Sequence, residues 1–122
     1  MHATLRATES MARVSQARPG DFTERRSHSQ EKSSTGLTSQ TRRAAFSAAA
    51  NIVEGSAKHG AREYRRFLDI SIGSLAELGY AFRVARELEM LSSAHWLTLE
   101  DLRRRAGFLT WRLYRSLGNR AR

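Results

Sequence analysis

Cysteine is absent from this chain of 122 residues. That removes disulfides, thiolate nucleophiles and cysteine-based zinc sites, and it suits a reducing compartment. Proline occurs once, at Pro19. No apolar run approaches the roughly 20 residues that span a bilayer. The N-terminus lacks the apolar stretch of a secretory signal. The expected location is therefore cytoplasmic, with no membrane partner. Residues 1–36 are rich in Arg and Ser, as transit peptides are, but Glu9, Asp21, Glu24 and Glu31 argue against that reading. Acidic residues are scarce: 12 against 21 basic ones, for a net charge of +9. All the basic residues except Lys32 and Lys58 are Arg. Such an excess favours polyanion partners through attraction and counterion release. The plainer alternative is a basic surface that only keeps the protein in solution.

The length allows one domain with a tail. Residues 1–35 carry few large apolar side chains: Leu5, Met11, Val14 and Phe22 are the candidates. Leu5, Met11 and Val14 predict at most a short, weak helix, which Pro19-Gly20 breaks. The run Ser27-His28-Ser29-Gln30-Glu31-Lys32-Ser33-Ser34 has no periodicity and reads as disordered.

From residue 36 the pattern is helical throughout. Leu37, Thr41, Ala44, Ala48 and Ile52 recur at helical spacing, with Thr38 or Ser39 as the expected cap and Gly55 as the expected left-handed stop. The mostly alanine face predicts a central, closely packed helix over 38–55. Tyr64, Phe67, Leu68, Ser71, Leu75, Leu78, Phe82, Ala85 and Leu88 form one stripe of a helix over 60–90. Gly73 and Gly79 within it read as points of close helix contact. Leu99, Leu102, Ala106, Leu109, Leu113 and Leu117 form the seam of a helix over 95–117, with Thr98 or Glu100 as its cap. Residues 119–122 read as a frayed end. Short links make these helices antiparallel neighbours.

Positive charge gathers towards the C-terminus. Residues 37–89 hold eight basic and six acidic groups, a net of +2, whereas residues 90–122 hold seven and two, a net of +5. Arg103, Arg104 and Arg105 are consecutive and wrap around the last helix. The expected phosphate ligands are Arg42, Arg103, Arg104, Arg112 and Arg115, contacting backbone phosphates without base specificity. Arg43, Asn51, Glu54, Ser74 and Glu77 form a second candidate group. Antiparallel packing brings Glu54 towards the start of the third helix and Arg43 towards Glu77. A network that fixes helix register is the preferred reading over a ligand site, because buried charge is tolerated when paired.

His2, His28, His59 and His95 are scattered and show no metal-ligand spacing. Glu54 and Glu77 lack the His, Cys or phosphate loop that would make them an acid/base pair, so no catalytic residue, metal or cofactor is expected. Trp96 and Trp111 read as packing residues rather than base-stacking ones.

Four motifs occur in order: Gly36-Leu37-Thr38-Ser39-Gln40 with Arg42-Arg43-Ala44, Asn51-Ile52 with Glu54-Gly55, Glu63 with Phe67-Leu68, and Gly73-Ser74 with Glu77-Leu78. Their spacing over residues 36–118 resembles the small four helix bundle protein family, also called the 23S rRNA intervening-sequence proteins. The resemblance implies an all-α, antiparallel, up-and-down helical bundle. The family is also similar to the accessory variability determinant of diversity-generating retroelements. That likeness implies a basic homo-oligomer, a pentamer by preference, that binds RNA or DNA, with a reverse transcriptase as a further partner. Residues 1–35 do not match the family's amphipathic first helix. The first helix is therefore expected to be degenerate, short or missing, and the segment to be an out-of-frame or misplaced start. Without that helix, Ala44, Ala48, Phe82 and Leu109 would form an exposed seam. The expected function is a non-enzymatic nucleic-acid-binding bundle. The alternative is an assembly module whose helices pack with other subunits or a partner protein.

Overall fold

The computed structural model describes residues 2–16 and 28–120, with backbone alone at 11–16 and 28–33. Four helices account for them: α1 (His2–Gln16), α2 (His28–Ser56), α3 (Ala61–Glu87) and α4 (Ser93–Arg120). No strand occurs among the described residues. The chain is an antiparallel four-helix bundle in which each helix neighbours two others, in the cyclic order α1, α2, α3, α4. The side chains of Met11 and Val14, and residues Pro19, Gly20 and Phe22 altogether, lie outside what the structure describes.

The helix ends differ from the sequence expectation for local reasons. α2 begins at His28 rather than 38. Thr38 is not a cap; its hydroxyl donates to the Ser34 carbonyl at 2.8 Å, one turn back within the helix. Gly55 is not a left-handed stop either, because the positive φ falls at Gly60, at 91°, just before α3. Gly55 is instead buried, and a Cβ there would lie 2.7 Å from Phe67 Cβ. α4 is capped by Ser92, whose Oγ accepts the His95 amide at 3.1 Å. Thr98 and Glu100 lie inside that helix.

The core is built from small residues on α2 against large ones on α3. Ala44, Ala45 and Ala48 pack with Leu75, Leu78, Phe82, Leu99 and Ala106 in one cluster. Ile52, Leu68 and Leu117 form a second towards the other end. Alanines let the α2 backbone approach α3, and two hydroxyls use that closeness. Ser71 Oγ donates to the Ala48 carbonyl at 2.8 Å, and the Ser47 and Ser74 hydroxyls bond at 2.9 Å.

α1 is shorter than the others and lies between α2 and α4. Over its residues 2–10, Thr4 and Thr8 are buried, with Leu5 and Ala7 packed partly buried against the two clusters. The Thr8 hydroxyl is satisfied inside the helix, at 2.8 Å from the Leu5 carbonyl. Thr110 on α4 is buried on the same terms, bonded to the Ala106 carbonyl at 2.7 Å. With α1 in place, Ala44, Ala48 and Phe82 are buried, and the expected open seam does not exist there.

Candidate nucleic-acid interface

The outer side of the α3/α4 pair is where arginine and aromatic side chains meet. Two open clefts lie along this seam. One, of about 300 Å³, is lined by Arg62, Glu63, Arg65, Arg66 and Asp69 of α3 and Tyr114 of α4. The other, of about 500 Å³, lies at the opposite end among Arg83, Arg86, Glu87 and Trp96. In each cleft a guanidinium covers a ring. Arg65 lies 4.2 Å from the Tyr114 centroid, and Arg86 lies 4.3 Å from that of Trp96. Such stacking holds the cation in place without neutralising it.

α4 supplies the rest of the face. Residues three and four apart share one side of a helix, and Leu97, Arg104, Phe108, Trp111 and Arg115 follow that spacing outward. Leu97, Phe108 and Trp111 are 62%, 60% and 48% exposed. The Trp111 and Tyr114 rings stack at 5.6 Å with an interplanar angle of 15°. Arg112 stands 5.8 Å from the Phe108 centroid.

Two carboxylates on this helix answer part of the charge. Asp101 pairs with Arg105 at 2.6 Å. Glu100 is nearly buried and receives Arg103 through two hydrogen bonds, Nε to Oε2 at 2.9 Å and Nη2 to Oε1. Arg104 adds a longer contact to Glu100 at 3.3 Å and stays 73% exposed. The Arg103 hydrogen bonds hold the Glu100 carboxyl below the ordinary carboxylate range, against the opposing effect of burial. The same bonds raise the Arg103 guanidinium. Among the described residues, no acid pairs with Arg112 or Arg115.

The five expected phosphate ligands therefore separate. Arg104, Arg112 and Arg115 are exposed together on α4. Arg103 is turned inward towards α3 and committed to Glu100, so it is a packing residue. Arg42 is exposed on α2, which stands across the core from α4 rather than beside it. It stands apart from the others.

The expected polar network forms only in part. Asn51 donates to the Ser47 carbonyl at 2.7 Å and to its hydroxyl at 3.1 Å, and Ser47 bonds Ser74. Ser47 is the link that the sequence reading missed. Arg43, Glu54 and Glu77 are exposed. Among the described residues Glu54 approaches only Lys58, at 4.0 Å, and no Arg43–Glu77 ion pair occurs. Exposed charges keep their hydration and need no partner, which is why the small hydroxyls rather than the ions hold α2 to α3. Arg65 and Arg86 were also missed. Their three-residue spacing from Arg62 and Arg83 places each pair beside α4, a signal readable only once the facing helix is known.

Fold and surface together define a small antiparallel helical bundle with an arginine-rich outer face. Residues 22–109 match the family model of the 23S rRNA-intervening sequence protein, and the chain belongs to that family. No curated protein matches the chain. No helix among the described residues is long and apolar enough to cross a membrane.

Proposed function

We propose that the protein is a non-enzymatic, nucleic-acid-binding helical bundle that grips backbone phosphates through the outer face of α4. The observation that carries this reading is the exposure of Arg104, Arg112 and Arg115 on one side of a helix whose two acids, Glu100 and Asp101, are already paired. The membership of the chain in a family named for rRNA intervening sequences supports RNA as the first polyanion to test, with DNA as the comparison.

We further propose that the bundle works as a homo-oligomer, with a pentamer as the first assembly to test. Phe46 and Tyr80 are each 71% exposed, and Val53 and Ile70 are 53% and 43% exposed. Phe46 and Val53 lie on α2, and Ile70 and Tyr80 on α3. An apolar surface of that kind serves subunit contact better than it serves water. The same surface is what favours the second reading, an assembly module without nucleic acid.

A gel-shift series with RNA and DNA at rising salt tests the first reading. Three phosphate contacts give a log–log slope of about −2 to −3. Affinity that stays flat with salt, or no binding at low salt, rejects it. Light scattering of the same preparation reads the subunit number.

A further inference from the structure

We infer that Trp111, backed by Tyr114 and flanked by Phe108, is a base-stacking platform, and that the nucleic acid taken by this face is single-stranded. The inference rests on the nucleic-acid reading above and adds the strand form.

Three observations lead to it. The first is exposure. Phe108 and Trp111 are 60% and 48% exposed, so packing in the core does not account for them. The second is order. Trp111 and Tyr114 lie nearly parallel, at 15°, and Arg65 sits 4.2 Å from the Tyr114 centroid. Arg65 Nε is buried without a hydrogen-bond partner, so the guanidinium is held there by the ring rather than by an acid. The ring pair is thus fixed from the α3 side. The third is alternation. Along α4, Arg104, Phe108, Trp111 and Arg115 place cation, ring, ring and cation on one stripe, with Arg112 beside Phe108.

A ligand that satisfies all of these carries negative charge and flat apolar faces side by side. A duplex offers phosphates but keeps its bases stacked inside, which would leave Phe108 and Trp111 idle. A single strand offers both, and ring stacking of this kind tolerates any base. A protein partner apolar enough to cover the rings would have to bury Arg112 and Arg115 as well. The platform residues 111–115 lie beyond the residues 22–109 that match the family model.

Fluorescence anisotropy with the full chain tests this, using three labelled probes of equal phosphate number: oligothymidylate, its abasic analogue and a hairpin duplex. Oligothymidylate is expected to bind about ten-fold tighter than the abasic strand. Trp111→Ala should lose about ten-fold on oligothymidylate while leaving the other two within about two-fold, and Trp111→Phe should recover most of the loss. Circular dichroism melts establish that the variants fold. The abasic comparison uses the unsubstituted protein and does not depend on them. Equal affinity for oligothymidylate and the abasic strand overturns the inference, as does an equal loss on all three probes. A Trp111→Ala protein that turns monomeric with unchanged affinities makes the stripe a subunit contact and also overturns it. If the unsubstituted protein binds neither these probes nor RNA strands of the same phosphate number at low salt, the nucleic-acid reading itself fails.

Discussion

Arg103 of α4 lies against the backbone of α3 at Gly79. A Cβ at residue 79 would stand 2.7 Å from its Nε and 2.8 Å from its Cζ. The guanidinium cannot swing away freely, because its two hydrogen bonds to Glu100 anchor it. One glycine, one arginine and one carboxylate thus lock two helices at a single level.

Gly79→Ala should therefore destabilise the fold by about 1–2 kcal/mol, since the methyl group displaces an anchored side chain. Placed on an Arg103→Ala background, the same substitution should turn neutral or stabilising by about 0.5–1 kcal/mol, the usual gain of alanine over glycine in a helix. Urea denaturation of the four proteins of this cycle measures the coupling. Additive effects would show that the two residues act independently.

Glu100 sets a pH dependence. Its carboxyl is held below the ordinary carboxylate range by the Arg103 hydrogen bonds first, and by the nearby Arg103 and Arg104 charges. The folded chain binds that proton less tightly than the unfolded chain. The stabilisation is complete above the ordinary carboxylate range and is lost as pH falls through the lowered folded-state value. Glu100→Gln should cost about 2 kcal/mol at neutral pH, the worth of hydrogen bonds to a charged group. The two proteins should converge in acid. Urea midpoints across a pH series check both the gap and its closing.

Arg112 and Arg115 separate charge from structure. Replacing both with Ala should leave the thermal midpoint nearly unchanged, because they are exposed and without an acidic partner among the described residues. It should reduce the salt slope of RNA binding by about 2, one for each lost phosphate contact. Arg103→Ala should do the reverse, lowering the midpoint through Glu100. Arg42→Ala, on the helix across the core from α4, should leave the slope as it is.

Gly55 and Gly73 are both helical, yet they should respond oppositely to alanine. A Cβ at Gly55 would meet Phe67 Cβ and Tyr64 Cδ2, both at 2.7 Å, while at Gly73 nothing lies within 4 Å. Phe67 Cβ is fixed to its own backbone and cannot yield. Gly55→Ala should cost about 2 kcal/mol, in the range of overpacked cores. Gly73→Ala should gain about 0.5–1 kcal/mol. Chemical denaturation of the two single variants decides both.

The last three helices were legible because their apolar residues repeat at helical spacing, with Ala44, Ala48 and Ile52 on α2, Leu68, Leu75 and Phe82 on α3, and Leu99, Ala106 and Leu117 on α4 buried as that spacing requires. α1 was harder to read. Its buried positions over residues 2–10 are Thr4 and Thr8, which carry no hydrophobic signal, and the Thr8 hydroxyl is satisfied by bonding backward within the helix. Helix caps misled for a related reason. Thr38 bonds one turn back as readily as it caps, and only the chain before it decides which. Among the site residues, exposed α4 arginines followed from periodicity. The inward turn of Arg103 did not, although the Glu100–Arg103 spacing of three hinted at a pair. Contacts across helices, such as Arg65 on Tyr114, depend on rotation about each axis, which no single segment encodes.

The modest grip of α1 has a consequence of its own. This helix packs less extensively on its neighbours than α2 and α4 pack on α3, and over residues 2–10 its buried side chains are two threonines, helped by the partly covered Leu5 and Ala7. Local openings draw on such weakly held elements first. Amide protons of α1 should trade with solvent deuterium ahead of those in α3, and each opening would wet the cluster of Ala44, Ala48 and Phe82 against which Ala7 packs.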